Sequence, residues 1–398
     1  MIGRIGRYFG KLVSGRDDPA GGIGGYRRRR TFRPLLTIVT LVALTLTACG
    51  TSKSATTSSS SSSSSVPVHV TAQTFLGIPS SWLTQVAQAE GFFTKNDLNV
   101  SLLPVNTGAQ AVAALASGSA DIIFCAPDTC ASLQNQGEKL TAFAGEYNTL
   151  YAIMVRKGFT TATGYKATIL ALKGKTVGVP GLGTGGQFIM EALLQGAGLA
   201  PDAVTFVPTG GVPQALAALQ SGQIDAWTGY PPGITEATTG GYATVAIDLR
   251  KPNAQLSSVP LIGAITGVPY FAIYSTTAWA GAHPAAVDHY RLALEEADCW
   301  IHAPANLKKL TTQVQTTFGA PTGLTATALT AYVESNIPLI HSYYPKSSAK
   351  AWTDYAVHFG IMKSPVAVNS WLQPGTPSTA NDVIQAVKAA GGSCPGGA

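Results

Sequence analysis

A nine-residue stretch occurs twice in this chain, and that repeat limits the possible folds more than any other feature. ALASGSADI at 114–122 and ALQSGQIDA at 218–226 align at a constant offset of 104, matching Leu115 with Leu219, Gly118 with Gly222 and Asp121 with Asp225. The flanks repeat in kind. NTGAQAVAALASGSADIIF (106–124) and PTGGVPQALAALQSGQIDAW (208–227) each open on a Thr-Gly turn. Apolar residues then follow at helical spacing: Val112, Leu115 and Ala116 in one, Leu216 and Leu219 in the other. Gly118 and Gly222 stand where a left-handed residue stops a helix. Asp121 and Asp225 follow in the turn, and an apolar strand comes next. Either Asp looks catalytic when read alone; their matched positions favour a turn carboxylate. Upstream, AEGFFTKNDLNVSLLPV (89–105) and LLQGAGLAPDAVTFVPT (193–209) both run from a helix end through Gly and Leu into a strand near Pro. The expectation is an α/β chain of two similar lobes. Ligands of open α/β sheets bind beyond the carboxyl ends of the strands, so two facing lobes make a cleft.

The chain has 398 residues, room for two ordinary domains. With 45% apolar and 12% charged residues it is not a disordered chain. The net charge of +6 suggests a nucleic-acid partner only until it is divided by segment. Residues 1–48 hold nine Lys+Arg and two Asp+Glu, a balance of +7, leaving −1 for the rest. A phosphate-tracking surface needs clustered cations, and the body has none, so no nucleic-acid partner is expected.

The basic segment reads as an export signal, 1–48, with an N-terminal extension. Arg27 to Arg30 precede the uncharged run Leu35–Ala48, whose 14 residues are too short for a bilayer span but suit a signal peptide. Leu46-Thr47-Ala48-Cys49 resembles a bacterial lipobox, which makes Cys49 the lipidated residue. Arg29-Arg30-Thr31-Phe32 resembles a twin-arginine signal, and the choice between the two export routes stays open. Residues 49–66, the lipidated Cys and a Ser-rich stretch, read as a tether, with an r.m.s. reach of roughly 20–24 Å. The expected location is the outer face of the cytoplasmic membrane, at the cell surface or in the periplasm, held by the lipid.

LKGKTVGVPGLGTGG (172–186), LLQGAGLAPDAVTFVPTGG (193–211) and ALQSGQIDAW (218–227) resemble the solute-binding proteins of bacterial ABC importers. AEGFFTKNDLNV (89–100) and HPAAVDHYRLALEEADCWI (283–301) are similar to the subgroup of nitrate-, sulfonate-, taurine- and thiamine-pyrimidine-binding proteins. The resemblance spans about 68–310. It implies a two-lobe clamshell of the type II periplasmic-binding-protein kind, each lobe a sheet flanked by helices, with two crossover hinge strands. Residues 67–157 plus 263–398 would form lobe 1, and 158–262 lobe 2. The crossings are expected near 151–155 and 267–275. The implied partners are a small-molecule solute and ABC permease subunits, with the protein a monomer, no cofactor and no catalysis.

Gly181 to Gly186 satisfies G-x-G-x-x-G between a strand and a helix. An exported protein has no ready dinucleotide supply, and no acidic residue ends a second strand, Asp202 sitting in a Pro-Asp turn instead, so NAD is rejected. The small residues still let backbone amides approach a ligand, which makes Gly183, Thr184, Gly185 and Gly186 candidate binding residues. Other turns expected at the cleft supply Phe75, Pro79, Ser80 and Trp82; Thr107 and Gly108; Ala126 and Asp128; Thr209; and Trp227 and Tyr230. Ser80 or Ser81 is a candidate helix cap, as is Asp128. Trp82 is either core or a stacking wall. The family often has an acid before Pro231, where this chain has Tyr230. None of these turns carries Arg or Lys, which favours a neutral, flat, pyrimidine-like heterocycle over an alkyl sulfonate or other oxyanion.

Beyond Cys49, four cysteines allow three pairings. Cys125–Cys130 and Cys299–Cys394 are favoured, with free buried thiols as the alternative. No metal site is expected, since C-x4-C lacks a second ligand pair and His283, His289 and His302 are spread along one helix. The competing classes are an enzyme on the same fold, such as a thiamine-pyrimidine-synthase-like protein, or another secreted enzyme, and a sensory or adhesive lipoprotein. The chain has no G-x-S-x-G and no H-E-x-x-H.

Overall fold

The computed structural model describes residues 67–394, without 161–162, 258 and 260. The export signal, Cys49 and the Ser-rich tether lie outside the described residues. The first elements are β1 (Val68–Phe75), α1 (Trp82–Ala89), α2 (Phe92–Lys95), β2 (Leu98–Val105), α3 (Gly108–Ala116), β3 (Ile123–Cys125), α4 (Pro127–Asn135) and β4 (Leu140–Asn148). Then come β5 (Ala152–Arg156), α5 (Tyr165–Ala171), β6 (Thr176–Val179), α6 (Gly185–Gly196), β7 (Thr205–Pro208), α7 (Val212–Ser221), β8 (Ala226–Gly229), α8 (Gly233–Thr239) and β9 (Ala243–Asp248). Short α9 (Ala254–Ser257) and α10 (Ile262–Ile265) lead to β10 (Pro269–Thr276). Helices α11 (Thr277–Ala282), α12 (Pro284–His302), α13 (Leu307–Gln313), α14 (Ala326–Asn336), α15 (Lys346–His358) and α16 (Ala380–Ala389) complete the chain.

The strands fall into two groups. In the first, β1 pairs parallel with β2, and β10 lies antiparallel between β3 and β4. A bridge from Ala72 to Ile122 joins these two small sheets. In the second, five strands run in the order β7-β6-β8-β5-β9, parallel from β7 to β8 and antiparallel at β5. The chain passes from the first group to the second between Asn148 and Ala152, and returns between Asp248 and Pro269.

The sequence repeat is a structural repeat. Gly118 and Gly222 have φ of 72° and 73°, the left-handed stop after α3 and α7. Beyond each, an aspartate fastens the turn to a strand. The Asp121 amide donates to Thr71 O at 2.8 Å, and Asp121 Oδ2 accepts from the Thr71 amide at 2.8 Å. Asp225 does the same with Thr176, at 2.8 Å and 3.1 Å. Both carboxylates are therefore turn fasteners, and Asp225 also accepts from Arg156 Nε at 3.1 Å.

One apolar core runs through both groups, anchored by fully buried Trp82, Trp227, Trp352, Tyr270, Tyr290 and Phe143. A buried side chain of this size contributes about 2–3 kcal/mol. Helix α12 packs on α1 and α16. Cys299 of α12 is bonded to Cys394, and Cys125 at the end of β3 to Cys130 in α4, with Cα separations of 4.9 and 6.0 Å.

Candidate functional site

A cleft with a cavity volume of about 60 Å³, partly open to solvent, lies between the two strand groups. Strand-to-helix turns of the first group supply Phe75, Ile78 and Ser80; Asn106, Thr107 and Gly108; and Phe124, Cys125, Ala126 and Thr129. The second supplies Pro180, Thr184 and Tyr230. Leu150 and Tyr151 come from the outgoing crossing and Phe271 from the returning strand. Among the described residues, no charged side chain lines the cavity.

Two helices present their amino ends here, built on one local pattern. Asn106-Thr107-Gly108-Ala109-Gln110 starts α3, and Gly183-Thr184-Gly185-Gly186-Gln187 starts α6. In each, the Gln side chain reaches back: Gln110 Oε1 accepts from the Asn106 amide, and Gln187 Oε1 from the Gly183 amide, both at 2.8 Å. Thr129, in the first turn of α4, lies between them. The Gly185 amide donates to Thr129 Oγ1 at 3.2 Å, and a Cβ at Gly108 would stand 3.2 Å from Thr129 Cγ2. Glycine is required at 185 because a Cβ there would fall 2.0 Å from the Tyr270 hydroxyl.

Behind Thr129 sits Asp128, 1% exposed. The Tyr270 hydroxyl lies 3.0 and 2.9 Å from its two oxygens. Oδ1 also accepts from the Thr129 amide at 2.6 Å and from Thr129 Oγ1 at 3.2 Å. Burial pushes this carboxyl up to about 6, and the hydrogen bonds from Tyr270 and Thr129 oppose that rise. The Tyr151 ring lies edge-on to Tyr270, with centroids 6.0 Å apart, and burial keeps its hydroxyl protonated. Burial also pushes Tyr230 up to about 12.

Of the residues expected from sequence, Phe75, Ser80, Thr107, Gly108, Ala126, Thr184 and Tyr230 line the cavity. Asp128 and Gly185 lie behind it. The Gly183 amide is taken by Gln187, and Gly186 packs on Pro180 and Tyr151. Five expectations need correction. Trp82 is fully buried, edge-to-face with Tyr332 at 5.8 Å, because the first turn of α1 faces the core. Trp227 is also fully buried, its indole covering Gly229 and Gly233. Thr209 turns its hydroxyl back to Val179 O at 3.0 Å. Pro79 is buried in a short turn and is not among the lining residues. Ser81 caps no helix; its Oγ accepts from the Phe75 amide at 2.9 Å.

Sequence reasoning missed Ile78, Asn106, Phe124, Cys125, Thr129, Leu150, Tyr151, Pro180 and Phe271. The paired NTGAQ and GTGGQ segments were a usable signal for the helix ends. The crossings near 151 and 271 were a signal for Leu150, Tyr151 and Phe271.

The fold is that of the periplasmic binding proteins. A Candida albicans protein described as having that generic fold matches at TM-score 0.58 and 12% identity, over 78% of this chain and 97% of that one. The alkanesulfonate-binding protein SsuA of Xanthomonas axonopodis pv. citri, solved with MOPS bound, matches at TM-score 0.61 and 17% identity, over 78% and 99%. The periplasmic nitrate-binding protein NrtA of Synechocystis matches at 0.63 and 13%, over 81% and 89%. Residues 80–262 match the family model described as NMT1/THI5 like. A comparison with curated proteins finds no match.

Proposed function

We propose that this chain is an extracytoplasmic solute-binding protein that captures a small organic solute in the cleft and delivers it to an ABC importer. One observation carries the reading: strand-to-helix turns of both strand groups, and both crossings, converge on one cavity. The likeness to SsuA and NrtA supports it. Residues 67–157 plus 263–398 and residues 158–262 act as two lobes hinged at the crossings. Closure is a population shift, so the solute binds the closed form better than the open one. No bond is made or broken. The ligand is a flat, uncharged, pyrimidine-like heterocycle, because Phe75, Phe124, Tyr151 and Phe271 offer aromatic surface and, among the described residues, no cation lines the cavity. The protein works as a monomer, held at the membrane by lipidated Cys49; among the described residues no helix is long and apolar enough to cross a membrane.

A thermal-shift panel of heterocycles, alkyl sulfonates, nitrate, amino acids and dinucleotides tests this. A solute at a hundred times its Kd adds about 2.7 kcal/mol, and Tm rises by several degrees. Turnover of a probe, or no shift with any small solute, would count against the reading.

A further inference from the structure

We propose that the α6 side of the cleft selects for hydrogen-bond donors on a ligand and repels oxyanions, and that Asp128 is the positioning residue that sets this preference. The inference rests on the solute-binding reading and concerns what the cavity shows its occupant. Thr129 Oγ1 donates its proton to Asp128 Oδ1 and accepts the Gly185 amide. What remains toward the cavity is a lone pair. Thr184 Oγ1 donates to Gly181 O at 2.8 Å, and the Tyr230 hydroxyl to Gly210 O at 3.4 Å. Three cavity hydroxyls have therefore committed their only proton to the protein, and each meets a ligand as an acceptor.

The amino end of α6 does not offset this. Its Gly183 and Gly185 amides go to the Gln187 and Thr129 side chains. The helix thus ends, through the Thr129 hydroxyl, on a carboxylate from the facing helix. An anion at this side of the cavity would meet lone pairs with a buried negative charge behind them. An N–H group would find three acceptors, and leaving those buried acceptors without a donor discriminates strongly against a ligand that lacks one.

The groups facing Asp128 are tyrosines: Tyr270 and Tyr274 of β10, Tyr151 at the outgoing crossing, and Tyr344 and Tyr355 before and in α15. Burial keeps all five protonated through neutral pH. Helix α3 carries no titratable side chain, and α6 carries Glu191, which faces Tyr355. Acidification through about pH 6 therefore removes the Asp128 charge without a mutation.

Calorimetric titration with 2-aminopyrimidine, pyrimidine and methanesulfonate tests the proposal. The wild-type protein at pH 7.5 should bind 2-aminopyrimidine about tenfold or more tighter than pyrimidine, and methanesulfonate least of the three. Asp128→Asn should bring the first two closer together and strengthen methanesulfonate by about tenfold. Wild-type protein at pH 5 should show the same gain for methanesulfonate, which stays ionised, and this arm does not depend on the variant folding. Methanesulfonate binding that equals or exceeds 2-aminopyrimidine in the wild type, or that is unchanged at pH 5, overturns the role of Asp128 and leaves the solute-binding reading standing. No binding of any probe to the wild type overturns both.

Discussion

The amino ends of α3 and α6 share a sequence pattern and a Gln that reaches back to the residue before the cap, yet they meet the cleft differently. At α3, Thr107 Oγ1 accepts the Gln110 amide at 3.3 Å. Among the described residues no acceptor meets the Gly108 and Ala109 amides, so this end is open to an acceptor atom of a ligand. At α6, Thr184 turns its hydroxyl away to Gly181 O, and Thr129 fills the end from the facing helix. The same local code therefore makes one open end and one closed end. Asp128 supplies the difference, and it belongs to neither helix.

Replacing the first glycine of each helix breaks the comparison most sharply. Gly185→Ala places a Cβ 2.0 Å from the Tyr270 hydroxyl and 3.2 Å from Asp128 Oδ1. Helix α6 must then move off α4, at a cost of about 3 kcal/mol in stability and about a hundredfold in solute affinity. Gly108→Ala meets only the Thr129 methyl at 3.2 Å and should cost below about 1 kcal/mol. Urea unfolding of the pair measures the gap; equal losses would show that the two ends are packed alike.

The second comparison sets Asp128→Asn against the wild type across pH. Burial places the folded pKa of Asp128, about 6, above its ordinary 3.8. Its contribution is therefore full below about pH 4 and is lost as pH rises through about 6, a loss of about 2–3 kcal/mol. Asp128→Asn should lack that fall. Glu146, which burial pushes up to about 8, titrates in both proteins and cancels in the difference. Parallel stability profiles between pH 4 and 7 would refute the assignment.

The matched turn carboxylates give smaller effects. Asp121→Ala and Asp225→Ala each leave a strand amide without its acceptor and should cost about 1–2 kcal/mol. Asp225→Ala also frees Arg156, but that pair is partly exposed and adds at most about 0.5 kcal/mol. Solute preference should stay the same in both variants, since neither residue lines the cavity.

The repeat made most of this scaffold legible. Leu115 and Leu219, Gly118 and Gly222, and Asp121 and Asp225 answer to local rules of periodicity, left-handed stops and turn hydrogen bonds, and those rules act within a few residues. The cleft was half legible, because strand-to-helix turns mark where a site lies without fixing which way a side chain points. Trp82 and Trp227 fall beside the right turns but face the core, a direction set by Tyr332 in one case and by Gly229 and Gly233 in the other. Thr129 was not legible. Its role depends on Gly185, 56 residues away, and on a proton committed to its own neighbour.

The finest test separates the two cap threonines. Thr107 is a working N-cap, with extended backbone at φ −142° and ψ 154° and its side chain accepting from the third helical residue. Thr107→Ala leaves that amide to water and should cost about 1 kcal/mol. Thr184 has cap backbone geometry, φ −120° and ψ 167°, but no side-chain cap bond. Thr184→Ala forfeits only the bond to Gly181 O and should cost about 0.5 kcal/mol. The order reverses in solute binding. Thr184 presents a lone pair to the cavity, whereas Thr107 spends one on its own helix. Thr184→Ala should therefore weaken 2-aminopyrimidine more than Thr107→Ala does, despite its smaller effect on stability. If instead the two variants lose affinity in proportion to stability, the open and closed ends do not differ in what they offer a ligand.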